Sequence, residues 1–263
     1  MIKKSVQAVV YGLLILLCQL PAAQAASDIT LAEAINKAGR QRMLSQRIVK
    51  SYLQMGQDVR YRVAKKHLGE SIDLFELQLK QLKDFTTNPE ATRGLALVEK
   101  LWIPVKQIAT GPVQREKAEE LRANAERLLA AAHQVVLILA DESGTNQGHL
   151  VNIAGRQRML SQRMGNLYML MSWKFADELY RQDYKAATSE FDTALQELIN
   201  ANENTPEISA ILSQVKQNWD LYNLSNRMGE DEFVPGLVAR MLDKILGQMN
   251  EVTGLYAALP QAK

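Results

Sequence analysis

The sequence predicts an all-α protein made of two tandem four-helix-bundle modules related by internal duplication. Three observations carry this. First, Ile35 to Arg47 recurs as Val151 to Arg163 at an offset of 116, and all ten residues from Ala38 to Arg47 are identical to Ala154 to Arg163. Second, runs such as Phe75-x-x-x-Leu79-x-x-Leu82 and Leu121-x-x-x-Ala125-x-x-Leu128 have the spacing of a buried helix face, with no sustained two-residue alternation to suggest strands. Third, helix-start signals recur in step. Asn88-Pro89-Glu90 answers to Thr205-Pro206-Glu207 after a one-residue slip, and Trp102 then answers to Trp219.

Taken in order, residues 1–25 read as a cleavable signal peptide. Lys3 and Lys4 precede a short apolar run from Val9 to Leu20, and Ala23-Gln24-Ala25 supplies a small-residue cleavage signal. About 12 apolar residues fall short of the ~20 that a membrane span needs. A periplasmic protein is expected, with an inner-membrane protein anchored by an uncleaved segment as the alternative. The modules are expected at 26–143 and 144–263. Thr30-x-x-Glu33 is a capping box opening the first helix. The expected helices are 30–66, 70–86, 90–108 and 114–141 in the first module. Those in the second are 148–181, 184–202, 206–224 and 232–257. Gly111-Pro112 marks a break, and Gly144 and Gly148 argue for another between the modules.

Composition narrows the chemistry. The chain has 263 residues, 31 Lys+Arg against 29 Asp+Glu, three histidines and one cysteine, Cys18. Without Lys3 and Lys4, the remainder carries no net charge, which gives no reason to expect nucleic acid. A lone cysteine excludes an intramolecular disulfide and cysteine-based metal sites. His67 and His133 are answered by Asp183 and Asn250, so a duplicated metal site is not expected. No nucleophile–base pair or catalytic carboxylate pair recurs, and neither an enzyme nor a cofactor is expected.

The decamer is mostly polar, and it has diverged less than its surroundings. Over the next 36 positions only Tyr52, Met55, Phe75, Leu79 and Leu82 have identical partners. On a helix at 100° per residue, Gly39 and Arg42 share a face with Ile35, Gln46 and Leu53, while Arg40 and Arg47 fall nearly opposite with Asn36 and Met43. Glycine costs a helix about 0.8–1 kcal/mol relative to alanine, so it is useful there if a backbone or ligand must come close. Arginine one turn on offers paired donors to a planar oxyanion. Two such faces could enclose one small anion. Four charge-assisted hydrogen bonds at about 1.5–3 kcal/mol each compare with about 8 kcal/mol for micromolar binding. The competing reading is arginines that are solvated or paired with carboxylates of neighbouring helices. Met43, Met159, Leu44, Leu160, Trp102 and Trp219 are expected in the core. Arg60, Arg62, Lys65 and Lys66 are expected on a solvated face.

Asn-x-Ala-Gly-x-x-Arg-Met-x-Ser-x-Arg resembles the signature of the PilJ-type sensor domain. That domain opens type IV pilus chemotaxis transducers and the NarX-type nitrate/nitrite sensor kinases. The resemblance is strong over about 20 residues in each copy. It implies a helical bundle that pairs with a second bundle and holds nitrate or nitrite between the first helices. The ligand residues it implies are Gly39, Arg42, Gly155 and Arg158, with Asn36, Arg47, Asn152 and Arg163 in support. It assigns no ligand role to Arg40 or Arg156.

The expectation is therefore an exported nitrate or nitrite binding sensor, or an accessory module ending at Lys263 without a signalling domain. A membrane sensor kinase or chemoreceptor is its expected partner, and a homodimer is possible. The alternative is a partner-docking bundle whose duplicated arginines bind acidic groups on another protein, within a receptor or pilus system.

Overall fold

The computed structural model describes residues 29–175, 178–227 and 233–260. The signal-peptide expectation for residues 1–25 lies outside these. The described chain forms eight α-helices and one short 3-10 turn, Arg115–Lys117: α1 Leu31–Gly56, α2 Tyr61–Phe85, α3 Pro89–Thr110, α4 Ala118–Ser143, α5 Asn146–Ser172, α6 Glu178–Ile199, α7 Pro206–Arg227 and α8 Pro235–Ala258. Helices α1–α4 and α5–α8 are the two repeats, each an up-and-down bundle joined by short turns.

The start signals work as expected. The Thr30 hydroxyl accepts from Glu33 N at 3.2 Å, and the Glu33 carboxylate accepts from Thr30 N at 2.9 Å. Asn88 caps α3 through Glu90 N, and Thr205 caps α7 through Ile208 N. The break between modules falls at Gly144, in the left-handed region at φ +57°. Thr145 then caps α5, so Gly148 lies inside that helix rather than in the break.

One boundary differs in both copies. The first helix does not run to 66 or 181; it stops at Gly56 and at Ser172. Asp58, Arg60 and Lys174 take left-handed backbone conformations that a helix cannot continue through. Apolar periodicity carries on past this point in sequence, but the faces it describes belong to two antiparallel helices. A contact between modules fixes the turn. The Trp173 ring lies over Gly56, where a Cβ would come within 2.2 Å of Trp173 Cη2. Gln57 Nε2 donates to Met169 O at 2.9 Å, and Ser172 Oγ donates to Gln57 Oε1 at 2.9 Å.

The core is continuous through both modules. Helix α1 packs on α2, α4 and α5, and α5 packs on α6, α8 and α1. Helices α1 and α5 run parallel in near-zero register, as the contacts of Gln46 with Asn166 and of Gln57 with Met169 require. The sequence offset of 116 is therefore a two-fold pseudosymmetry about an axis between these helices. Met43, Met159, Leu44, Leu160, Trp102 and Trp219 are all buried. Each tryptophan packs on a phenylalanine, Trp102 on Phe75 and Trp219 on Phe191, with centroids 4.1 and 4.2 Å apart. Each donates from Nε1 to an acid of the second helix, Glu76 and Asp192 respectively.

Candidate functional site

Two polar positions of the repeated decamer serve the fold. Gln41 Nε2 donates to Phe75 O at 3.0 Å, and Gln157 Nε2 to Phe191 O at 3.2 Å. Ser45 Oγ donates to Arg42 O and Ser161 Oγ to Arg158 O, both at 2.8 Å. Buried polar groups must find partners; the glutamine bonds fix α1 and α5 against the second helix of each module, and the serine bonds close within α1 and α5 themselves. Tyr52 and its counterpart Tyr168 hold the segment before the fourth helix, accepting from Gln114 N at 2.8 Å and from Val234 N at 2.9 Å.

Gly39 and Arg42 meet their counterparts Gly155 and Arg158 at the α1–α5 seam. Arg42 and Arg158 are 1% and 0% exposed. Built Cβ atoms show how closely both arginines approach the two glycines. One on Gly39 would lie 3.3 Å from Arg42 Nη2 and 3.5 Å from Arg158 Nη2. One on Gly155 would lie 3.1 Å from Arg158 Nη2 and 3.5 Å from Arg42 Nη2. Both guanidinium tips thus crowd a single small volume between two glycine backbones, which explains why the helices tolerate glycine there.

Each arginine is held across the seam. Arg42 Nη2 donates to Asn152 O at 3.2 Å and to Asn152 Oδ1 at 3.0 Å. Arg158 Nη2 donates to Asn36 O at 3.2 Å. From within each module, Nη1 is met by the fourth helix: Arg42 Nη1 lies 3.0 Å from His133 Nδ1, and Arg158 Nη1 donates to Asn250 Oδ1 at 3.2 Å. Sequence reasoning missed these last two as site residues. The available signal was that they occupy the same position in the two copies.

Neither arginine has a carboxylate at ion-pair distance among the described residues. Their Nε atoms and Asn36 Oδ1 are buried without a hydrogen-bond partner. Burial lowers the Arg42 pKa to about 9, helped by Arg156 and opposed by Glu190. Burial lowers that of Arg158 well below its usual value, aided by Arg40 and Arg42. Bringing two like charges out of water together is costly, and the cost is greatest where the dielectric is low.

Arg47 and Arg163 lie away from this centre. Arg163 pairs with Glu126 at 3.0 Å and with Asp183 at 3.6 Å. Arg47 stands in the field of Asp243 and Glu70. Asp243 also bonds the fully buried Lys50, and it pairs with Arg60 at 3.0 Å. Arg60 therefore leaves the solvated face expected for it, while Arg62, Lys65 and Lys66 remain exposed. The structure brings Gly39, Arg42, Asn36, Gly155, Arg158 and Asn152 together; it sets Arg163 in a flanking ion-pair cluster and Arg47 beside the Lys50–Asp243–Arg60 cluster.

The chain belongs to the PilJ family, the N-terminal domain of type IV pili methyl-accepting chemotaxis transducers, whose model matches residues 25–135 and 141–226. No curated protein and no solved structure matches it. The family is a sensor and signalling module rather than a catalytic one, and its two matched segments fit the tandem duplication.

Proposed function

We propose that this chain is an exported binding module for a small planar oxyanion, nitrate or nitrite, serving as a sensor or as an accessory to a membrane receptor. The observation that carries the reading is the meeting of Arg42 and Arg158, both fully buried and neither paired with a carboxylate, between the backbones of Gly39 and Gly155. A monovalent anion bridging the two guanidinium groups would offset their repulsion and lock α1 against α5. The chemistry suits nitrate because it is planar, weakly hydrated and able to accept from two forks at once. The signal would be a shift between two arrangements of the α1–α5 seam, transmitted to a membrane sensor kinase or chemoreceptor. Burial removes Arg42 and Arg158 from any docking surface, so this reading is favoured over one in which they bind acidic groups on another protein.

Calorimetric titration of the chain lacking residues 1–25 with nitrate and with nitrite tests this. Saturable binding that disappears in Arg42→Ala and Arg158→Ala is expected. No heat and no thermal shift at millimolar anion sinks the reading.

A further inference from the structure

Arg42 and Arg158 are equivalent in sequence, but the residues around them have diverged. A cavity of about 330 Å³ opens between α4, α5 and α6 and reaches Arg42; Arg158 is not among its lining residues. His133, next to Arg42, stands at its inner end. At its mouth Arg156 is ion-paired with Glu190, with both side chains more than a third exposed. The two copies differ in the residues that form this cavity. The counterpart of the wall residue Ala186 is Glu70, and that of Glu190 is Leu74. Arg40, the twin of Arg156, therefore has no carboxylate to pair with among the described residues, and its Nε is buried without a partner. One side of the seam is lined by Ala186, by the part-exposed Arg156–Glu190 pair and by Arg163 with its partners Glu126 and Asp183. On the other side Glu70 and Ser71 stand where Ala186 and Ala187 line the cavity.

We infer that an anion reaches the seam by this single route, with Arg156–Glu190 as its outer latch and His133 as the inner threshold. This rests on the oxyanion reading above. An arriving anion is drawn to Arg156 and displaces it from Glu190. It then replaces His133 as the partner of Arg42 Nη1 and settles between Arg42 and Arg158. His133 Nδ1 can accept from Arg42 only while that nitrogen is unprotonated, so its partner leaves without a proton transfer. His133 is thus a positioning residue: it holds Arg42 before the anion arrives.

The sequence makes the test simple, because Cys18 is the only cysteine. In a Cys18→Ser background, Ala186→Cys and Glu70→Cys each place one thiol at an exposed position on equivalent faces of the two poles. Each is alkylated with a bulky maleimide. Exchange of nitrate is then followed by NMR at the Gly39 and Gly155 amides, alongside equilibrium calorimetry. The plug at position 186 should slow association and dissociation together, on the order of tenfold or more, with the affinity little changed. The plug at position 70 should leave both rates as they were. Unchanged exchange with 186 plugged, or equal slowing from 70, overturns the single route while leaving the binding reading intact. Failure of the unmodified chain to bind nitrate or nitrite overturns both.

Discussion

Arg42 of the first repeat is hydrogen-bonded by Asn152 of the second, and Arg158 of the second by Asn36 of the first. The two halves of the chain therefore hold each other's arginines. Any relative movement of α1 and α5 must change the surroundings of both cations at once. This reciprocity is what would make the seam a two-state element that one anion could bias.

Replacing one of these arginines should separate binding from stability. Arg158→Met removes a buried charge and its repulsion with Arg42, while leaving Asn250 Oδ1 and Asn36 O without that donor. Apolar replacement of buried charges is often neutral or stabilising, whereas an unmet acceptor costs about 1–3 kcal/mol. Urea unfolding should therefore show a change under about 2 kcal/mol, smaller than a typical core truncation. The response to nitrate should be abolished. A loss of 4 kcal/mol or more would mean that Arg158 is chiefly a structural brace.

The glycines predict the opposite combination. Gly39→Ala and Gly155→Ala gain helix propensity, about 0.8–1 kcal/mol, but the added methyl comes within 3.3 and 3.1 Å of buried, hydrogen-bonded guanidinium groups that must shift slightly. With these opposing effects, both variants should stay within about 1 kcal/mol of the parent without anion. Anion affinity should fall about tenfold or more, because the methyl occupies the volume between the guanidinium groups. Calorimetry on the two variants measures this directly.

Binding should appear in thermal melts by mass action. At an anion concentration of 100 times Kd the folded state gains about 2.7 kcal/mol, which for a chain of this size raises Tm by roughly 5–11 °C. The gain should be absent in Arg42→Ala. A nitrate shift reproduced by chloride at equal ionic strength would show a general salt effect.

Gly56 joins the modules through Trp173. Gly56→Ala places a methyl against the indole ring, and the ring must move to relieve the overlap. Overpacking of this kind costs about 1–3 kcal/mol. Trp173→Ala opens a cavity and should also destabilise. The double variant should be less damaged than the sum of the two, because the clash disappears with the ring. Additive losses would show that the two residues act independently.

Acid should weaken the fold at His67. Burial, Arg47 and Lys50 push its pKa down to about 4, against the pull of Asp243 and Glu70. The unfolded chain binds this proton near pH 6.5 and the folded chain only near 4, so stability falls as the pH drops through that interval. Denaturation of wild type and His67→Gln at pH 7.0, 5.5 and 4.5 isolates the effect. The wild type should lose more stability than the variant between the first and last of these.

Much of the candidate site was legible. Identity confined to Ala38–Arg47 and Ala154–Arg163 marked the positions, and helical geometry put Gly39 and Arg42 on one face. The same identity also overstated what the decamer does for binding. Gln41 and Ser45 persist because each satisfies a buried backbone carbonyl. His133 and Asn250 escaped notice because a hydrogen bond spanning more than 90 residues leaves no local pattern.

By itself the sequence determined the helices, the caps and the duplication, because propensity, capping and apolar spacing act within a turn or two of the chain. It also determined that any anion affinity must rest on a few placed arginines, since the chain beyond residue 25 has no net charge. Tertiary structure alone decided that the two first helices lie parallel within one chain, that both arginines are buried together without a carboxylate, and that Arg42 adjoins a cavity between α4, α5 and α6. Those outcomes depend on which faces pack and on what each side chain displaces, and long-range burial sets both.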